Sequence, residues 1–79
     1  MKVYGYETTN QDAELPLELQ EVSFELTIDE IDKIIKFFQD SKDNFFHGKP
    51  ISGQAHSHFR DCTSAWKPSE PDIILVYHD

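Results

Sequence analysis

A capping box followed at once by a helical repeat of isoleucines is the feature that most constrains how this chain can fold. Thr27 and Glu30 stand at the two ends of the sequence Thr-Ile-Asp-Glu, where each side chain can bond the backbone amide of the other residue. Large apolar residues then recur at helical spacing from Ile28 to Phe38. The pattern predicts an amphipathic helix that begins after Thr27 and runs to about residues 41–43.

Segments with strand-like patterns flank this helix. Residues 2–7 are short and aromatic-rich, so we expect an edge strand, with Gly5 at a bulge or a close approach of the backbone. Apolar residues alternate over 15–26 but change parity near residues 20–21, and we predict a strand over 21–26. Over residues 55–61, Ala55, Ser57 and Phe59 alternate with His56, His58 and Arg60, so we predict a further strand there. Residues 72–78 are apolar at both parities, which favours a central strand or one covered on both faces.

Together these elements predict one α+β domain over residues 1–79, in the order β-β-α-β-β. We expect a small, mainly antiparallel sheet with the amphipathic helix packed on one face. Residues 48–53 are predicted to form a turn, and residues 63–71 a connection. The positions expected to face the helix, besides one parity of the last strand, are Val22, Phe24, Leu26 and Phe59.

The charge of the chain narrows the classes of partner. Fifteen acidic residues against seven basic ones give a net charge of -8, which disfavours nucleic acids and anionic membranes because both are polyanions. The charge favours either a basic partner or a merely solvated acidic surface. The acidic residues that could form a patch against a basic partner are Glu14, Glu18, Glu21 and Glu25.

The number of cysteines and the hydropathy of the chain indicate the cellular compartment in which the protein is expected. The single cysteine, Cys62, cannot form an intramolecular disulfide, which favours a reducing compartment for so small a domain. The first residues carry no long apolar run typical of a signal peptide, and no apolar stretch approaches the roughly 20 residues that span a bilayer. We therefore expect a cytoplasmic protein.

The face of the sheet away from the helix is the candidate recognition surface. It combines phenol, carboxylate, imidazole and guanidinium groups, and aromatic residues and Arg are enriched at interface cores. Trp66 could be an anchor at this surface or could equally cover one end of the core. The candidate partner-binding residues are Tyr4, Tyr6, Glu25, His56, His58, Arg60 and Trp66.

The residues that could bind a metal ion or take part in catalysis centre on one histidine pair. His56 and His58 are two positions apart, so on a strand they project to the same face and could share a metal ion. Cys62, Asp61 or His78 would supply a third ligand only if the fold brought one of them close. The simpler interpretation is a pair of half-exposed sheet histidines, one of them bonded to a carboxylate.

A catalytic constellation is not evident in the sequence. Cys62 lacks an activating signature, and no phosphate loop or dinucleotide fingerprint is present. We therefore expect a protein that is not an enzyme and that needs no cofactor.

Five stretches of the chain together carry a resemblance to a known family. They are Tyr4-Gly5-Tyr6-Glu7, Leu17-Glu18-Leu19-Gln20-Glu21-Val22, the isoleucine-rich helix, His56-Ser57-His58-Phe59-Arg60-Asp61 and Pro71-Asp72-Ile73-Ile74-Leu75-Val76. In these stretches the chain resembles small bacterial proteins assigned to the immunity proteins of polymorphic toxin systems. The similarity spans nearly the whole chain, and its sharpest parts are the His-x-His-x-x-Asp stretch and the closing Pro-Asp-Ile-Ile. The resemblance implies an α+β protein that neutralises a cognate toxin by binding it. The chain departs from the family in a longer turn over residues 48–53 and in carrying Cys62.

The leading hypothesis is thus a non-enzymatic protein-binding module, and specifically an immunity protein that binds a basic toxin domain. The alternative is a small metal-binding protein or metal-dependent enzyme that uses His56 and His58. A homodimer is a third possibility, because a small sheet has open edges and residues 2–7 would form one of them.

Overall fold

The computed structural model describes residues 1–8, 14–46, 54–64 and 66–78. Two short strands, β1 (Val3–Gly5) and β2 (Leu17–Leu19), precede helix α1 (Ile28–Asp40). The helix is followed by strands β3 (Gln54–His58) and β4 (Ile74–His78). The predicted α+β class and the order of strands around one helix are therefore confirmed. The turn predicted over residues 48–53 lies outside the described residues.

The strands pair as two small antiparallel sheets rather than as one. β1 pairs with β2, and β3 pairs with β4. The side chain of Leu19 lies close to Gly5, since a Cβ atom at that position would come within 3.1 Å of Leu19 Cδ1. The close approach at Gly5 is thus made by a side chain of the paired strand and not by another backbone.

The capping box starts the helix as the sequence predicts. The amide of Glu30 donates to Thr27 Oγ1 at 3.2 Å, and the amide of Thr27 donates to Glu30 Oε1 at 2.9 Å. The hydrogen bond from the Thr27 backbone is the main reason that the pKa of Glu30 is lowered. The α-helix ends at Asp40, but helical structure continues beyond the predicted end as a π-helical turn over Ser41–Phe46.

The described core gathers where the last turns of α1 meet β3. Phe37 is 1% exposed, and its ring meets that of Phe59 edge-on with 5.5 Å between centroids. One turn further on, the buried hydroxyl of Ser41 bonds the hydroxyl of Ser57 at 3.1 Å. Ser57 and Phe59 therefore face the helix, as the alternation of β3 predicts.

The strand predicted over residues 21–26 is wrong. No regular structure is present there; the strand lies earlier, at Leu17–Leu19. Val22 and Phe24 are 48% and 53% exposed, so neither packs under the helix as predicted. These residues lead into the helix cap at Thr27, and in the described part of the chain they pair with no strand.

The prediction that the last strand is central or covered on both faces is also wrong. In the described part of the chain β4 has β3 as its sole partner, and Val76 is 54% exposed. The register sets Val76 opposite His56 and Ile74 opposite His58, so these four residues share the open face. Leu75 lies opposite the buried Ser57 and belongs to the helix side. The predicted strand over 55–61 is likewise shorter, because Phe59–Asp61 form a 3-10 turn.

Replacing Phe37 with Ala should destabilise the fold by about 3–5 kcal/mol, because a fully buried ring leaves a cavity. Phe24→Ala is the matched control and should cost less than about 1 kcal/mol, since its ring is half exposed. Urea unfolding followed by circular dichroism measures both values. If Phe24→Ala cost more than Phe37→Ala, the core would lie around Phe24 and not around Phe37.

Candidate functional site

The carboxylate of Asp72 organises the region that contains the candidate histidines. Its Oδ1 accepts the backbone amides of Arg60 and Ile73, each at 2.9 Å. Its Oδ2 lies 2.8 Å from His58 Nδ1. The 3-10 turn Phe59–Asp61 has no cap from its own preceding side chain, so Asp72 supplies the missing acceptor from the entry to β4.

The contacts of the Asp72 carboxyl determine its protonation state. Burial would by itself raise the pKa of Asp72, whose side chain is 16% exposed. The hydrogen bonds from His58 and from the amides of Arg60 and Ile73 outweigh burial, and the pKa of Asp72 is lowered. An ionised carboxylate can only accept, so His58 Nδ1 carries the proton in this contact.

The histidine pair lies on one face, as its spacing predicts. The rings of His56 and His58 stand edge-on with 5.2 Å between their centroids. His56 is exposed, whereas His58 is half-buried against Asp72. The carboxylate therefore sets which nitrogen of His58 faces inward, and the contact leaves Nε2 as the nitrogen for another group.

Arg60 remains at the surface beside the same carboxylate. Its Nε lies 3.8 Å from Asp72 and 3.9 Å from Asp61, and half of its side chain is exposed. These are loose contacts at exposed positions, so most of the guanidinium donors remain available to a partner. Cys62, which follows the turn, is exposed with a free thiol.

The structure also groups two candidates that the sequence does not link. Glu25, in the segment before α1, and Trp66, in the connection to β4, line one groove together. The Trp66 indole is half-buried and donates from Nε1 to the carbonyl of Pro71 at 2.9 Å. This bond closes the loop and holds the ring at the groove.

The two tyrosines are exposed on and after β1, at 52% for Tyr4 and 60% for Tyr6. The described contacts do not join them to the histidine pair. Asp72, by contrast, both bonds His58 and lines the groove. Sequence reasoning missed its role, although the Pro-Asp step before the last strand marks the position.

Among the described residues, no group of three or more His, Cys, Asp or Glu side chains is placed to hold a metal ion. No helix in the described part of the chain is long and apolar enough to cross a bilayer. Comparison of the chain with protein-family models, curated proteins and solved structures found no match.

Replacing Asp72 with Asn should lower the free energy of unfolding above about pH 4. It should also make that free energy fall less steeply as the pH is lowered through the acid range. A lowered folded-state pKa means that ionised Asp72 stabilises the fold above its ordinary pKa of 3.8 and loses that contribution as pH falls through the lower value. We expect Asn to cost about 1–3 kcal/mol at neutral pH, because charge-assisted bonds are lost. The difference from wild type should shrink below about pH 4.

The control is Asp61→Asn, which removes the same charge from a side chain that is 70% exposed. Urea unfolding at a series of pH values gives the free energy for all three proteins. A constant gap between wild type and Asp72→Asn across the acid range would show that the carboxylate charge does not stabilise the fold.

Proposed function

We propose that this protein is a non-enzymatic binding protein, and that it neutralises a toxin encoded beside it by covering a basic surface of that toxin. The observation that carries the proposal is a row of exposed apolar side chains on α1. These residues, here called the helix stripe, are Ile28, Ile31, Ile35 and Phe38.

The helix stripe is distinct from the side of the helix that packs. Its members recur at three- and four-residue spacing, so they form one continuous row along the helix. Ile28 and Ile35 are 74% and 61% exposed, whereas Phe37, which projects from the opposite side of the helix, is buried. A contiguous apolar row at the surface is typical of a site that another protein covers.

The charge of the chain suits a basic partner. At a net charge of -8, it would attract a cationic surface and speed the encounter, with a rate that falls as salt rises. The open face of the second sheet adds exposed Ile74 and Val76 beside His56. Apolar side chains bordered by charge are the composition expected of a recognition surface.

The chemistry of the polar residues supports binding over catalysis. Asp72 is committed to His58 and to two backbone amides that stabilise the turn. The resemblance to immunity proteins, which rests largely on the stretch from His56 to Asp61 and on the closing Pro-Asp-Ile-Ile, points the same way. The proposed partner-binding residues remain Tyr4, Tyr6, Glu25, His56, His58, Arg60 and Trp66.

The test is affinity purification against the toxin encoded beside this chain, together with rescue of its toxicity on co-expression. We expect Ile35→Ala to weaken the complex by more than about tenfold, because a central interface side chain would be lost. Lys36→Ala, which alters the exposed polar side of the same helix, should leave the affinity nearly unchanged. Binding should also weaken as ionic strength rises.

Absence of both binding and rescue by the wild-type protein would refute the proposal. Light scattering at micromolar concentration supplies the complementary measurement. A homodimer that Ile35→Ala dissociates would assign the helix stripe to self-association instead.

A second candidate function is metal binding by the histidine pair. A carboxylate that fixes Nδ1 of a histidine and leaves Nε2 available is the usual environment of a metal-ligating imidazole. His56 lies beside it on the same face. Two imidazoles would hold zinc at roughly 2.0–2.1 Å each, with water in the remaining positions.

Zinc should then raise the melting temperature of the wild-type protein, and chelator should reverse the change. His56→Gln and His58→Gln should each abolish the response, while Cys62→Ser should retain it. Melting temperatures measured by circular dichroism, with metal analysis of the dialysed protein, decide the matter. An unchanged wild-type melting temperature in zinc would end this candidate.

A further inference from the structure

A groove of about 600 Å³ opens between the segment before α1, the helix itself and the connection to β4. The segment before the helix forms one wall with residues 23–26. Ile34 comes from the helix, and Phe59 and Trp66 come from the chain that follows β3. This volume lies in the range of sites that take a side chain or a small molecule.

Apolar and aromatic side chains line most of the groove. The Phe24 ring is more than half exposed, which leaves its face available to an occupant. Phe59 is held by its edge contact with Phe37, and Trp66 by its bond to Pro71. The apolar lining residues are Phe24, Leu26, Ile34, Phe59, Trp66, Pro71 and Ile73.

The charged residues around this lining are mostly acidic. They are Glu25, Glu30, Glu70 and Asp72, against Lys33 as the one basic residue among the described residues that line the groove. The ammonium of Lys33 is already paired with Asp29 at 2.9 Å. An occupant therefore meets a net negative rim around an aromatic floor.

The carboxylates of this rim differ in whether they are free to pair with a bound cation. Glu30 is engaged in the capping box, and Asp72 holds His58 and two amides. Glu25 has no hydrogen bond or ion pair within the described part of the chain. Glu70 lies near Lys33, where it contributes to a raised pKa of that ammonium after the larger effect of Asp29. Within the described residues Glu70 likewise has no side-chain hydrogen bond or ion pair, so Glu25 and Glu70 both remain as acceptors for a cation. Glu25 is the one that adjoins Phe24 in the sequence.

We propose that the groove binds a segment of the protein partner in which an Arg or Lys stands beside an aliphatic or aromatic side chain. The apolar side chain would bury itself between Phe24, Ile34 and Trp66. The cation would lie over an aromatic face and pair with Glu25, where attraction to the ring and to the carboxylate act together. This inference rests on the proposed function and names the chemistry of the partner segment.

Short capped peptides test the groove without the partner. Trp66 is the sole tryptophan, so its fluorescence reports occupancy when the peptide carries none. Acetyl-Arg-Leu-Arg-amide should change the emission in a saturable way, with a dissociation constant of about 1 mM or below. Acetyl-Glu-Leu-Glu-amide and acetyl-Arg-Gly-Arg-amide should each bind at least about tenfold more weakly, because one reverses the charge and the other removes the apolar side chain.

Two variants with matched controls assign the site. Phe24→Ala should weaken the binding of acetyl-Arg-Leu-Arg-amide about tenfold, and Glu25→Gln about threefold. Val22→Ala is the control for Phe24, since Val22 has similar exposure but does not line the groove. Glu21→Gln removes the same charge outside the groove and is the control for Glu25. Circular dichroism confirms that all four remain folded.

The outcomes separate this inference from the proposed function. If wild type shows no saturable response to acetyl-Arg-Leu-Arg-amide, or if Phe24→Ala and Val22→Ala behave alike, the groove is not the site and the inference is overturned. The adjacent toxin would still bind in that case if the proposed function holds. Failure of the toxin to bind, with the peptide response intact, would instead remove the proposed function and leave the groove as a binding site for cationic segments.

Discussion

The contacts of one carboxylate hold together the part of the structure on which the proposed recognition depends. Asp72 ties the turn after β3 to the start of β4, because its two oxygens accept two backbone amides and the His58 ring. The amide of Phe59 also donates to the carbonyl of Ile73 at 2.8 Å, so the strands remain joined beyond their regular ladder. Since Asp72 also lines the groove, the same side chain contacts both the open histidine face and the groove.

The hydrophobic side chains are divided unevenly between core and surface. Phe37 is the one fully buried large side chain among the described residues, and its partners come from the end of the helix and from Phe59. The isoleucines on the opposite side of the helix are exposed. A small domain gains limited stability from its core. The apolar side chains that this helix exposes to water are therefore unfavourable, and binding of a partner would offset that cost.

Local signals in the sequence predicted local structure well. The capping box, the helix and the shared face of His56 and His58 all follow from spacing, because each depends on residues within one or two turns or on one strand. Pairing partners could not be predicted in the same way. Alternation from Val22 to Leu26 is compatible with a strand, but a strand also needs a neighbour to bond, and the sequence does not supply that information. The role of Asp72 depends equally on a contact across fourteen positions.

Electrostatics favours a foreign partner over a second copy as the cover for the helix stripe. Two copies that approached one another would each bring a net charge of -8, and their repulsion would oppose the gain from apolar burial. A basic partner reverses the sign of that contribution, so attraction and burial act in the same direction. The same distinction holds within the groove, where Glu25 would repel an acidic segment and pair with a cationic one. In the proposed complex, charge would select the partner, while the apolar residues would supply most of the free energy of binding.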